Sequence, residues 1–153
     1  MKVLLINGSP HERGTTYTAL KKVADTLESL GIEAEIFHVG KIETTCIDCR
    51  VCKKNGNNRC AFHDTVNEAL EKAETADGFI FGTPVHFASA SGFMTAFMDR
   101  AFYAGGKLFQ FKPAASVVCA RRGGLSATFD QINKYMTISN MPVVSSTYWN
   151  SVH

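Results

Sequence analysis

Short apolar runs alternate with stretches of helical spacing along the whole chain, and this alternation constrains the fold more than any other feature. Residues 2–7 read as a buried strand; Leu20, Val23, Ala24, Leu27 and Leu30 then share one face of a helix that stops at Gly31. Ile32 to Val39 alternates as a second strand. Asp64 is placed to cap a helix carrying Val66, Ala69, Leu70 and Ala73. Gly78-Phe79-Ile80-Phe81 is continuously apolar, as a central strand covered on both faces must be, and ends in Gly82-Thr83-Pro84. Phe93, Met94, Phe97, Met98, Ala101 and Phe102 mark a largely buried helix. Ala114 to Cys119 predicts a fourth strand. Leu125, Phe129, Ile132, Tyr135 and Met136 predict a fourth helix, and Val143 to Tyr148 a fifth strand. Such alternation predicts an α/β fold built on one open, doubly wound parallel sheet with right-handed crossovers. At 153 residues, with no repeat and no low-complexity linker, residues 1–153 read as a single domain.

The first βα connection carries the most chemistry. Val3 to Ile6 feeds into Asn7-Gly8-Ser9-Pro10-His11-Glu12-Arg13-Gly14-Thr15-Thr16, from which the first helix departs. A helix N-terminus presents unpaired N–H groups and the positive end of a dipole, so a Gly/Ser/Thr turn there suits an anion. The loop has neither the Lys of a Walker P-loop nor the G-x-G-x-x-G of a dinucleotide site. What remains is a hydroxyl-rich cradle, Ser9, Thr15 and Thr16, with His11 and Arg13 nearby, suited to a phosphate monoester bound without metal; the plain alternative is an ordinary βα turn with Thr15 as N-cap. Five strands and a non-Rossmann loop favour the strand order 2-1-3-4-5, the flavodoxin-like arrangement. In that order ligands sit outside the carboxyl ends of strands 1, 3 and 4, which are followed here by the loops 8–16, 83–91 and 120–126. A doubly wound sheet needs helices on both faces, yet no fifth helix follows Tyr148: either the chain is cut short or a partner chain covers that face.

Composition enters by exclusion. A hydrophobic share of 45%, a charged share of 20% and a formal net charge of +2 are ordinary for a globular protein and give no strong field. Lys and Arg are scattered, which speaks against nucleic acid. No apolar run approaches membrane-spanning length and Met1-Lys2 leads straight into a strand, so a cytoplasmic location is expected.

Cys46-x2-Cys49-x2-Cys52-x7-Cys60 places four thiols within one polar, irregular segment after strand 2. Three readings stay open. The C-x2-C-x2-C spacing suits a cubane [4Fe–4S] cluster, whose corners closely spaced cysteines can reach. A tetrahedral zinc site also uses paired C-x2-C units, with His63 within range as a substitute ligand. The third reading is a set of thiols, free or oxidised. Cys119 ends an apolar strand and reads as core.

Taken together, Gly8-Ser9-Pro10, Gly14-Thr15-Thr16, the Cys46–Cys60 segment, Ala76-Asp77-Gly78, Gly82-Thr83-Pro84-Val85, Asp99-Arg100 and Tyr148-Trp149-Asn150 carry a resemblance. Along its whole length the chain resembles the NADPH-dependent FMN reductase family, and within it the iron–sulfur flavoprotein branch. His11, Thr15 and His86 stand where that family usually has Arg, Asn and Tyr, and members typically continue for a further helix beyond the Tyr-Trp-Asn segment. The resemblance implies FMN, with its phosphate on Ser9, His11, Arg13, Gly14, Thr15 and Thr16. It implies an isoalloxazine between Pro84-Val85-His86-Phe87 and Arg121-Arg122-Gly123-Gly124, NAD(P)H as co-substrate, and a [4Fe–4S] cluster on Cys46, Cys49, Cys52 and Cys60. The flavin carries the reaction, so no side chain is expected to act as a nucleophile.

The first functional reading is therefore an FMN-dependent oxidoreductase, a homodimer or homotetramer, passing electrons from NAD(P)H or a protein donor to a small-molecule or redox-protein acceptor. The second is an iron–sulfur flavoprotein electron carrier that exchanges electrons with ferredoxin. The third is a zinc-binding or redox-sensing module with an idle flavin site. His38, His63, Asp99 and Arg100 are read as structural, and Tyr148 with Trp149 as an aromatic pair at the site rim or an interface.

Overall fold

The computed structural model describes residues 1–153. In chain order its elements are β1 (Lys2–Asn7), α1 (Thr15–Ser29), β2 (Glu33–His38), α2 (Val51–Asn55), α3 (Thr65–Thr75), β3 (Gly78–His86), β4 (Ser89–Ala90), α4 (Gly92–Phe109), β5 (Ala114–Cys119), α5 (Leu125–Ile138) and β6 (Ser151–Val152). The sheet runs β2-β1-β3-β5-β6, all parallel, with β4 folded back antiparallel on β3. With the hairpin strand β4 set aside, this is the flavodoxin-like order expected from the sequence.

The sheet separates two cores of unequal size. Leu4, Ile6, Phe79 and Phe81 point into the larger, beneath α3, α4 and α5, where Phe79, Phe81, Phe102 and Phe109 pack ring against ring at centroid distances of 4.5–6.4 Å. Truncating one such ring costs about 3–5 kcal/mol. On the opposite face Leu5, Val117 and Cys119 pack under α1 through Leu20 and Ala24, while Ile36, Ile80 and Val152 stay only half-buried. The alternation of Leu4 and Ile6 against Leu5 is the period-2 pattern of a strand covered on both sides.

Several expectations need correction. β3 does not end at Gly82-Thr83-Pro84 but runs on to His86, because Thr83 and Pro84 still pair with β5 and Val85 and His86 pair with β4. Gly82 faces Leu20 of α1 so closely that a Cβ there would lie 2.7 Å from its Cδ1. A glycine that reads as a strand end is instead the place where helix and strand touch. The Cys46–Cys60 segment is not wholly irregular, since α2 lies inside it. Gly14, not Thr15, is the N-cap of α1.

The fifth strand is the largest error. Val143 makes only an isolated bridge to Ala114, and the strand proper is Ser151–Val152, paired with Val118 and Cys119. Four residue steps on β5 separate Ala114 from Val118, whereas eight separate Val143 from Ser151 on the other side. The surplus loops out through 145–149, carrying Tyr148 and Trp149 into the open. Apolar composition alone could not reveal this, because a strand and a looped segment of the same residues look alike in sequence. No helix of the fold is long and apolar enough to cross a membrane.

Candidate functional site: a cleft at the strand ends and a pocket of four thiols

Asn7, at the end of β1, organises the first loop. Its Oδ1 accepts from Ser9 N at 3.1 Å and its Nδ2 donates to Glu12 O at 3.0 Å, an Asx-type turn that aims the chain at α1. Ser9 Oγ then accepts from His11 N at 3.1 Å. The loop is also gripped from outside. Gly8 N donates to Gly82 O at 2.8 Å, Ser91 Oγ donates to Gly8 O at 2.5 Å, and His38 Nε2–H donates to Ser9 O at 2.9 Å. A Cβ on Gly8 would lie 2.5 Å from Met94 Sδ, so only glycine lets β1 meet α4 here.

The N-terminus of α1 is left open. Gly14 supplies no side-chain cap and the first turn holds no acidic residue, so its N–H groups and dipole face the cleft without a protein anion to answer them. α5 begins in the same way: Gly124, at φ 88°, is its N-cap, with neither a side-chain cap nor a first-turn acid. By contrast Asp64 caps α3 and Ser91 caps α4 with their own oxygens. Of the four longer helices α1 and α5 alone lack a side-chain cap, as the short α2 also does, and α1 and α5 begin at the strand ends.

A cleft of about 490 Å³ lies there, lined by Ser9, Pro10, His11, Gly14, Thr15, Thr16, Pro84, Val85, His86, Cys119, Ala120, Arg121 and His153. It adjoins a second hollow of about 230 Å³ between Val85 and Phe87 on one side and Ala120, Arg121, Arg122 and Gly123 on the other. Of the fourteen residues expected at a flavin, nine line the cleft and Phe87, Arg122 and Gly123 line the hollow. Arg13 is exposed and borders neither; Gly124 borders neither but packs on Val85. Phe87 sits at the β3–β4 hairpin tip with φ 61° and its side chain wholly in solvent.

Cys119 lines the cleft floor although it is buried in the smaller core, and burial pushes its thiol up from the ordinary value. Pro10, Ala120 and His153 also line the cleft, and no local pattern distinguishes them. His38, read as a plain strand end, is a support of the first loop. Its signal is visible only when β2 is known to lie beside β1 in the register Asn7↔His38.

The cysteine segment sits apart from that cleft. Cys46, Cys49, Cys52 and Cys60 line one small pocket together with Phe62, Arg100 and Tyr103. All four thiols are free, and no three His, Cys, Asp or Glu side chains converge into a ready metal-binding group. His63 is exposed and does not border the pocket. The winding that brings the thiols together uses left-handed backbone at Asp48, Arg50, Gly56 and Asn58. Asp and Asn tolerate it, but Arg50 does so at a cost that persists only where surroundings impose it.

Cys60 is anchored more firmly than the others. Asn67 on α3 accepts from Cys60 N at 2.8 Å and donates to the carbonyls of Cys60 and Phe62, both at 3.0 Å. Arg100 reaches from α4 to Cys60 Sγ at 3.3 Å and holds Asp64 through two nitrogens at 2.6 and 2.8 Å. Its neighbour Asp99 pairs with the Tyr135 hydroxyl instead; burial, then that bond, drive the phenol well above its usual value. The donor set of the pocket is thiolate chemistry, which suits iron–sulfur groups and zinc.

Fold and cleft together define a flavodoxin-like domain with a phosphate-type loop at β1. An archaeal flavodoxin is a structural neighbour, with a TM-score of 0.67, 14% identity, and coverage of 100% of this chain and 84% of its own. The profile of the NADPH-dependent FMN reductase family matches residues 1–153, and the chain belongs to that family, which makes it a flavin-dependent oxidoreductase by class. It is 35% identical to an iron–sulfur flavoprotein of Methanocaldococcus jannaschii over 151 residues, covering 94% of this chain and 76% of that protein. It is 38% identical over 101 residues to an iron–sulfur flavoprotein of Archaeoglobus fulgidus, covering 65% of this chain and 48% of that protein.

Proposed function

We propose that the cleft binds FMN, and that the chain passes electrons from NAD(P)H or a protein donor through it to a small-molecule or redox-protein acceptor. One observation carries this reading: α1 opens with an uncapped N-terminus onto the cleft at the carboxyl ends of β1, β3 and β5, and α5, also uncapped, begins beside the adjoining hollow. Such ends are anion sites: one suits the single phosphate of a flavin mononucleotide, and the other would favour negative charge on its reduced ring. At α1 the phosphate would meet backbone N–H groups and the hydroxyls of Ser9, Thr15 and Thr16, with His11 at the edge. At α5 the helix dipole, with Arg121 and Arg122, would face the ring system between Pro84–Phe87 and Gly123–Gly124.

Bound FMN supplies hydride and single-electron chemistry that no side chain here provides. The chain's own part is to hold and to tune. The α5 N-terminus and the two arginines favour negative charge on a ring beside them. Val85 and the hairpin carrying Phe87 would shield one face of that ring from water. Arg13, exposed and away from the cleft wall, has the weakest claim of the expected phosphate ligands.

A specific observation favours the iron–sulfur form of this activity: four thiols surround one pocket. The C-x2-C-x2-C spacing and the iron–sulfur flavoproteins among the chain's relatives support the same reading. Four thiolates on one pocket wall are the donor set that an iron–sulfur cluster takes. We therefore assign Cys46, Cys49, Cys52 and Cys60 to a [4Fe–4S] cluster, with single-electron exchange with ferredoxin as its natural use. The open aromatics Phe87, Tyr148 and Trp149 suit a subunit contact, and a homodimer or homotetramer is the assembly we assign.

The test is the visible spectrum of protein purified without oxygen, with FMN, iron and sulfide assayed on the same sample. One FMN and about four irons per chain are expected. FMN without iron would leave a plain FMN reductase with spare thiols. Zinc in place of iron, with no FMN uptake, would leave a zinc-binding module. Iron with no FMN would overturn the reading of the cleft.

A further inference from the structure

Arg100 is the largest fully buried side chain in the molecule, its side chain 0% exposed, in the middle of a largely apolar helix beside Asp99. An arginine is almost never so enclosed unless every donor is answered. Here every one is. Nε–H donates to Cys60 Sγ at 3.3 Å; Nη1 donates to Thr44 O at 3.2 Å and to Asp64 Oδ2 at 2.6 Å; Nη2 donates to Phe62 O at 3.4 Å and to Asp64 Oδ1 at 2.8 Å. That exhausts the five N–H groups of a guanidinium. The acceptors come from both ends of the cysteine segment, Thr44 just before Cys46 and the other three from Cys60 onward.

A clamp of loop ends would need only the carbonyls and the carboxylate. The fifth donor goes to sulfur. Asp64 cannot swing to compete for it, because its Oδ1 also accepts from Val66 N at 3.1 Å as the cap of α3. The bidentate pair therefore fixes the guanidinium plane and, with it, the direction of Nε–H. Asp64 also cancels most of the arginine's charge, so what reaches Cys60 is chiefly an oriented N–H dipole in a dry setting.

We propose that Arg100 is a positioning residue that sets the reduction potential of the group held by the four thiolates, with Asp64 holding that effect in check. The inference rests on the iron–sulfur reading above. Hydrogen bonds to ligand sulfur and local positive charge both stabilise the more negative, reduced state and raise its potential. Two substitutions should then act with opposite sign. Arg100→Lys keeps a cation for Asp64 but forfeits the fixed N–H on Cys60, and lowers the potential. Asp64→Asn keeps an efficient helix cap but leaves the arginine's charge unanswered beside the sulfur, and raises it. A purely structural clamp would not produce two signs.

The experiment is an anaerobic redox titration of the holoprotein, wild type and both variants, followed by the low-temperature EPR signal of the reduced cluster. Iron per chain and the far-ultraviolet dichroism spectrum are recorded on the same samples. At the wild-type midpoint, the reduced-to-oxidised ratio should fall about tenfold in Arg100→Lys, a displacement of about 59 mV for one electron, and rise in Asp64→Asn. Equal potentials in all three proteins, or displacements of one sign in both variants, overturn the inference while leaving the cluster in place. Wild-type protein without iron removes the reading beneath it, and the inference with it.

Discussion

The cleft at the strand ends and the pocket of thiols are built by opposite means. The cleft is made of backbone: helix N-termini, an Asx turn and a glycine against Met94, with side chains adding detail. The pocket is made of side chains on a segment with little secondary structure, braced by Arg100 and Asn67 reaching in from two helices. The first tolerates changes of side chain and fails when the backbone moves. The second depends on a few named groups. The contrast teaches that two candidate sites in one fold can differ in what protects them.

Breaking the backbone should do most. Gly8→Ala places a Cβ against Met94 and is expected to abolish FMN binding and cost about 1–3 kcal/mol, read by fluorescence titration with FMN and by chemical denaturation. Retained FMN affinity would mean that the loop is not the phosphate site.

A change of charge sharpens the comparison without moving the backbone. Thr15→Asp offers the open α1 terminus an anion of its own. It should weaken FMN binding at least tenfold while stabilising the free protein by about 0.3–1 kcal/mol through the helix dipole. Riboflavin, which lacks the phosphate, should be spared. Equal losses for both ligands would place the phosphate elsewhere.

The edge of the sheet offers a smaller, pH-dependent effect. Burial works against the charge of Glu35, but hydrogen bonds from Lys2 and Lys72 prevail and hold its carboxyl below the usual range. A depressed carboxylate contributes stability above its unfolded pKa and loses it as pH falls through the folded one. Glu35→Gln should therefore lower stability at pH 7 by about 0.5–1 kcal/mol, and the difference should vanish in acid denaturation below the carboxylate range. A difference that persists there would point to packing.

The least change is one of rate alone. In metal-free protein Cys49, exposed, should react first with a thiol reagent, and Cys119 last, since burial holds it as thiol. Mass spectrometry of partially labelled protein reads the order.

Much of this was legible. The alternation of apolar runs and helical faces predicted β1, α1, β2, α3, α4, β5 and α5 within a few residues, and with them the order of the sheet. The loops after β1, β3 and β5 were marked by their glycines and hydroxyls, and most residues expected at a flavin do border the cleft or its neighbour. The cysteine spacing pointed to four thiols that line one pocket. The fifth strand was misread because Val143, Val144, Thr147 and Tyr148 are residue types that strands favour, and only the register against β5 shows that the segment loops away.

The sequence by itself determined what depends on neighbours along the chain: where strands and helices form, which connections are glycine-rich, and that four thiols lie close together. Periodicity and turn chemistry are local, so they survive being read one residue after another. Only the tertiary structure decided that His38 steadies Ser9 from the next strand, that Gly82 is a contact rather than an end, and that Arg100 donates to Cys60 forty residues away. Those facts belong to distances across the fold, where a buried charge must find partners that the chain does not place beside it.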